Sequence, residues 1–225
     1  MILEHHLDLV NNKLLKKNKI AVINNFDRRE FPIYINPHYF GDINITNKNK
    51  DITRFIVIGN IETQRKNHNL LIESLEQLIR ENINNFKLIL IGRGNISFDS
   101  ILCDFIEVKG RVDYPTLYKE LENSDFILPM LDPENTEHNR YLKYGVSGSM
   151  QLIYGFRKIC IINKKFASVY GLNESNSVIY DKNKDLTESL KRAIIMSNEE
   201  YIEKQNNLKI YTDNLYKKSL ENLKT

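Results

Sequence analysis

Gly145, Ser147, Gly148 and Ser149 stand together in the stretch YGVSGSMQLIYGF (144–156), just before an apolar run that reads as a helix ending at Gly155. The first turn of a helix leaves backbone N–H groups without intrahelical acceptors, and the aligned peptide dipoles make that end positive. Small residues and two hydroxyls at such a point suit an anion of phosphate size. An ordinary serine N-cap with glycine for a bend explains the same letters. A second candidate is GNIETQRKN (59–67), where a glycine at a strand end is followed by Arg65 and Lys66 at a helix entrance. Cations there oppose the dipole, and an anion held between them and the amides supplies a reason; plain solvation is the alternative. The third is IGRGN (91–95), two glycines flanking Arg93, which fits either close approach to a ligand or a tight turn.

Upstream of the serine turn, LPMLDPENTEHNRYLKYG (128–145) gathers Asp132, Glu134, Glu137, His138 and Arg140 after an apolar run. Such a loop faces the same crevice, with His138 orienting a substrate, acting in proton transfer, or lying inert at the surface. The sequence carries no Ser-His-Asp ordering, HExxH or P-loop. Cys103 and Cys160 each sit in an apolar, strand-like run and read as buried reduced thiols, with no metal or disulfide framework. A formal charge of +3 over 225 residues, with both signs interleaved, is not the footprint of a nucleic-acid binder. The basic run KLLKKNK (13–19) reads as a solvated helix end, a membrane or RNA patch being the alternative. No window is long and apolar enough to span a bilayer and the opening is not a signal peptide, so a cytoplasmic protein is expected.

The elements that must position these turns follow from period. Apolar runs at 54–59, 86–92, 104–110, 125–130, 158–163 and 176–181 alternate with amphipathic segments, the pattern of repeated strand-helix units. Leu71, Ile72, Leu75, Leu78 and Ile79 share one helical stripe, Pro115 opens a second helix, and LTESLKRAII and EEYIEKQNNLKIYTDNLYKKSLENL close the chain as helices. The expected fold is α/β, a doubly wound Rossmann-like parallel sheet of about six strands, preceded by a short incomplete N-terminal segment. Residues 1–50 (a helix at about 3–17, two apolar runs and a polar linker) form that segment. Residues 51–196 are expected to form the doubly wound domain and 197–225 a C-terminal helix.

The stretches FIVIGNIETQRKNHNLLIESL, FKLILIGRG, GRVDYPTLYKELENSDFILPML and GSMQLIYGFRKICII, in this order, resemble the C-terminal lobe of GT-B glycosyltransferases of group 1, the family 4-like enzymes of bacterial lipopolysaccharide and capsule synthesis. The resemblance runs over roughly residues 37–195. It implies a nucleoside-diphosphate sugar as donor, a glycan or lipid-linked acceptor, and no metal or other cofactor. Arg65, Lys66, Ser147, Gly148 and Ser149 then fall on the donor diphosphate. Gly59, Asn60, Arg93, Gly94, Val112, Asp113 and Tyr114 fall on the nucleotide, and Glu137, His138 and Arg140 on the sugar or acceptor side. A catalytic residue is not assigned.

Two departures are visible. Asn60 stands where many relatives carry Arg, and Met150 or Gln151 stands near the second Glu of the family's acidic pair. Only about fifty residues precede the donor lobe, so the chain resembles half of a two-lobed enzyme, working alone, as a homo-oligomer, or with a partner that supplies the other lobe. Tyr201, Leu208, Tyr211, Leu215 and Leu220 are expected exposed or at a dimer contact. The competing reading is a non-catalytic assembly module. An epimerase is disfavoured because no GxxGxxG opens a first turn and no YxxxK follows.

Overall fold

The computed structural model describes residues 2–4, 7, 20–24, 26, 33–49, 51–61 and 68–224. Six strands form one parallel sheet: β3 (Thr53–Ile58), β4 (Phe86–Ile91), β5 (Ile106–Gly110), β6 (Phe126–Ile127), β7 (Ile159–Asn163) and β8 (Val178–Tyr180), in the spatial order β5-β4-β3-β6-β7-β8. The chain builds outward from β3 to β5, returns to pair β6 with β3, and builds outward on the other side. That reversal is the topological switch point of a doubly wound fold, and it opens a crevice beyond the carboxyl ends of β3 and β6.

Side-chain alternation explains the layers. Phe55, Val57, Leu88, Leu90, Ile159 and Ile161 face one way and meet helices α1 (His68–Arg80) and α6 (Leu186–Ile195). Ile56, Ile89, Ile91, Cys160 and Ile162 face the other way, against α2 (Tyr114–Asn123), α4 (Gly148–Phe156) and α5 (Lys164–Val169). The central strands are buried on both faces, which is why they read as continuous apolar runs. The single turn α3 (Arg140–Lys143) and the 26-residue α7 (Asn198–Leu223) complete the helices among the described residues. None is long and apolar enough to cross a membrane.

Several expectations are corrected. Cys103 is exposed, because the run ILCDFIEV begins as a short 3-10 turn (Ser100–Leu102) and Leu102, not Cys103, fills the core. Tyr201 and Leu208 of α7 are fully buried, Tyr211 and Leu215 are half-buried, and only Leu220 stays exposed. The segment expected as a helix over about 3–17 starts instead with strand β1 (Ile2–Glu4), parallel to β2 (Ile20–Val22); the remainder of it, except Leu7, lies outside the described residues. Among its described residues, the apolar run FPIYINPHYF (31–40) contributes a bridge from Tyr34 to Val22.

The N-terminal segment is tied to the main sheet domain. Leu7 donates its N–H to the Tyr144 carbonyl, and the Ser219 hydroxyl and the Asn222 amide of α7 bind Asn36 and Tyr34. Asp125 fixes the connecting stretch: its carboxylate accepts from the amides of Asn49 (2.9 Å) and Arg54 (2.7 Å).

Candidate functional site

The ends of β3, β4 and β5 are laced together through main chain. Gly59 N–H donates to the Ile91 carbonyl (2.9 Å), Ile61 N–H to Arg93 (2.7 Å) and Gly92 N–H to Gly110 (2.8 Å). The glycine of IGRGN follows from this: a Cβ on Gly92 would sit 1.5 Å from the Gly59 carbonyl oxygen. The close approach read in the sequence is made by the chain itself. Gly94, at φ 113°, completes the turn.

Beyond β6 the chain runs through Met130, held at φ 51°, a left-handed conformation unusual for a side chain of this size. It then folds over Asp132, whose carboxylate accepts from the Glu134 amide (2.9 Å) and the Asn183 side chain (3.0 Å). His138 is buried, not a surface residue, because its Nδ1 accepts the Asp132 N–H at 2.8 Å. In the neutral ring that bond leaves the proton on Nε2. The His138 ring lies 5.9 Å from that of Tyr141.

Arg140 follows at the start of α3. Its guanidinium carbon stands 4.6 Å over the Tyr141 ring, and one terminal nitrogen donates to the Tyr141 hydroxyl at 2.6 Å. Nε is buried with no hydrogen-bond partner, and among the described residues no carboxylate pairs with this arginine.

Helix α4 begins across from it. Ser147 occupies the N-cap with extended backbone (φ −73°, ψ 132°) but its hydroxyl makes no capping bond. Ser147 and Ser149 are nearly buried, whereas Gly148 is exposed and a Cβ there would meet nothing within 4 Å. Gly148 therefore leaves open space in front of the helix start. The helix does not end at Gly155 as its sequence suggests. It runs to Phe156, Arg157 takes the left-handed cap, and Gly155 is required because a Cβ would strike the Phe40 ring and the His38 carbonyl at 2.2 and 2.3 Å.

These parts enclose a cavity of about 260 Å³. Gly59, Asn60, Glu137, His138, Arg140, Ser147, Gly148 and Ser149, all expected from sequence, line it. Tyr141 and Leu152 also line it and were not foreseen; the one available signal for Tyr141 is that it follows an arginine in a polar loop. Arg93, Gly94, Val112, Asp113 and Tyr114 lie outside the lining, at the ends of β4 and β5. Asp113 is the N-cap of α2, where the Thr116 hydroxyl and amide hold its carboxyl below the usual range; Tyr114 is largely exposed. Arg65 and Lys66 lie outside the described residues. Among the described residues no three His, Cys, Asp or Glu side chains group as metal ligands.

No protein-family model matches the chain, and no curated relative does. Solved structures do. A variant of S. aureus TarM, in complex with fondaparinux, alpha-GlcNAc-glycerol and UDP, aligns at a TM-score of 0.65 and 15% identity over 99% of this chain and 50% of that one. WaaG, a glycosyltransferase involved in lipopolysaccharide biosynthesis, aligns at 0.54 and 12% identity over 77% of this chain and 46% of that one. The C-terminal domain of LpcC, a group 1 glycosyl transferase from Francisella tularensis, aligns at 0.52 and 11% identity over 76% of this chain and 95% of that domain. The chain has the fold of a GT-B C-terminal lobe. The lobe spans about half the length of TarM and of WaaG. Its cavity lies where ligands of doubly wound sheets bind, at the switch point, with the start of α4 as one wall.

Proposed function

We propose that this chain is the donor-binding lobe of a glycosyltransferase, and that its cavity holds the diphosphate of a sugar nucleotide between Arg140 and the start of α4. One observation carries the reading: an arginine without a carboxylate partner and a helix start without a side-chain cap line the same cavity at the switch point. Each favours negative charge: among the described residues no carboxylate pairs with Arg140, whose contacts are the neutral Tyr141 hydroxyl and ring, and no side chain caps the start of α4. Arg65 and Lys66, assigned on sequence alone, add cations to the same anion. Arg93, Val112, Asp113 and Tyr114 are assigned to the nucleoside, and Glu137 and His138 to the sugar or acceptor side.

The arrangement suits departure of a nucleoside diphosphate. Negative charge grows on the leaving oxygen as the glycosidic bond breaks, and donors already fixed at that point stabilise it without reorganisation. In this proposal Arg140, held by its stack on Tyr141, and the amides of α4 do that work, and no metal is required. The acceptor is a glycan or lipid-linked saccharide of bacterial surface polymer synthesis, and the protein works in the cytoplasm, at the inner membrane face where the acceptor is lipid-linked.

A second reading, a non-catalytic lobe that assembles with a partner transferase, is favoured by the exposed stripe Tyr216, Leu220 and Leu223 on α7. Calorimetric titration of UDP, GDP and ADP in EDTA separates the two. Micromolar binding of one nucleotide supports the donor lobe. Silence from all three, with a stable complex or oligomer on sizing, overturns it in favour of the assembly module.

A further inference from the structure

A second cavity, of about 400 Å³, lies at the other end of α4, between that helix, the 38–43 stretch and α7. It shares no lining residue with the donor cavity, and α4, nine residues at 1.5 Å per residue, separates the two by roughly 13 Å. Two tyrosines, Tyr39 and Tyr216, line it with rings 6.4 Å apart, and they are 69% and 42% exposed. Large aromatic side chains so open to water have no part in the core.

Beside them lies a polar set whose charges are already balanced. Arg157, with backbone in the left-handed region at φ 50°, donates to the Asp213 carboxylate at 3.1 Å. Asp42 adds a further carboxylate to the lining. Burial holds the His38 imidazole below its ordinary pKa, which favours the uncharged ring; it stands edge-on to Tyr154 and Tyr216.

This composition selects among ligands. A phosphate or nucleotide would meet the Asp42 and Asp213 carboxylates while Arg157 and Lys209 are both committed to Asp213, so an anion gains no unpaired cation there among the described residues. A purely apolar segment would bury the Arg157 and Asp213 groups without new partners. An uncharged sugar satisfies every part: its axial C–H face lies on the negative face of an aromatic ring, and its hydroxyls, each both donor and acceptor, complete the valences of a guanidinium–carboxylate pair. We propose that this cavity is a second binding site, separate from the donor cavity, for an uncharged oligosaccharide, with Tyr39 and Tyr216 as stacking platforms and Arg157–Asp213 as the hydroxyl-binding pair. The assignment does not rest on the donor reading.

The test is NMR titration of the full chain, with labelled tyrosine rings and backbone amides, using maltotetraose, tetra-N-acetylchitotetraose and galactotetraose. Binding in the millimolar range by at least one, with shifts at Tyr39, Gly41, Arg157 and Tyr216, is expected. Tyr39→Ala and Tyr216→Ala, both at exposed positions, should each weaken it at least tenfold while UDP shifts stay as in the wild type. Absence of shifts from all three saccharides overturns the proposal, as do shifts confined to Ser147–Ser149. Saccharide binding at Tyr39 and Tyr216 without any response to UDP, GDP or ADP supports this site and counts against the donor reading alone.

Discussion

The carbonyl oxygen of Gly59 occupies the space that any side chain on Gly92 would need, 1.5 Å from the ideal Cβ position. The two residues end neighbouring strands, and Gly59 forms part of the cavity wall. Glycine at 92 thus lets the β3 turn press against the β4 turn and fixes where the crevice begins.

Gly92→Ala should therefore destabilise the fold by at least about 3 kcal/mol, since backbone on both sides must move to relieve the overlap. Chemical denaturation of the variant checks this. Gly148→Ala is the contrast: its Cβ meets open space, so stability should change by less than about 1 kcal/mol, in the direction helix propensity gives, while nucleotide affinity falls.

Arg140→Ala should weaken nucleoside-diphosphate binding at least tenfold, the loss of a charge-assisted contact of about 1.4 kcal/mol or more. Arg140→Lys should recover little, because an ammonium cannot reproduce the planar stack on Tyr141. Calorimetry with the two variants, repeated at raised salt, reads both effects; equal affinity in all three proteins would remove Arg140 from the anion.

Asp125→Ala should cost about 2 to 4 kcal/mol. It strips acceptors from the Asn49 and Arg54 amides at once and frees the stretch that leads into β3. Asp125→Asn keeps one acceptor oxygen and should lose about half as much in the same denaturation experiment.

Alkaline pH should unfold the protein partly through Cys160. Burial pushes its thiol up to about 12, whereas the unfolded thiol ionises near its ordinary value of 9.0. Above 9 the folded state holds the proton that the unfolded state releases, so stability falls as pH rises, by roughly 1.4 kcal/mol per unit between 9 and 12. Cys160→Val, which fills similar apolar space, should remove that part of the slope when pH series of the two proteins are compared under reducing conditions.

The sheet was legible because its central strands are buried on both faces, which writes them as unbroken apolar runs such as FKLILI, and the helices between them show a clear stripe. The glycines and serines of the candidate site were legible because a helix start and a strand-end turn are local features. What was not legible depends on distant partners. His138 looks like a loop residue until Asp132 N–H folds back onto its ring, and Cys103 looks like core until Leu102 takes that place. Gly92 reads equally as a ligand contact or a turn until the Gly59 carbonyl appears beside it, and Tyr216 shows its exposed ring only once α7 is laid against residue 39.

The bonds from Ser219 to Asn36 and from Asn222 to Tyr34 join positions 183 and 188 residues apart. During synthesis the parallel sheet has all its strands once Tyr180 has emerged, yet the stretch around Tyr34 must wait on the ribosome for nearly the last turn of α7 before its main chain finds these partners. The stretch around Tyr34 thus gains its α7 partners late, and a nascent chain stalled within α7 would present a finished sheet with that stretch not yet fastened to the helix.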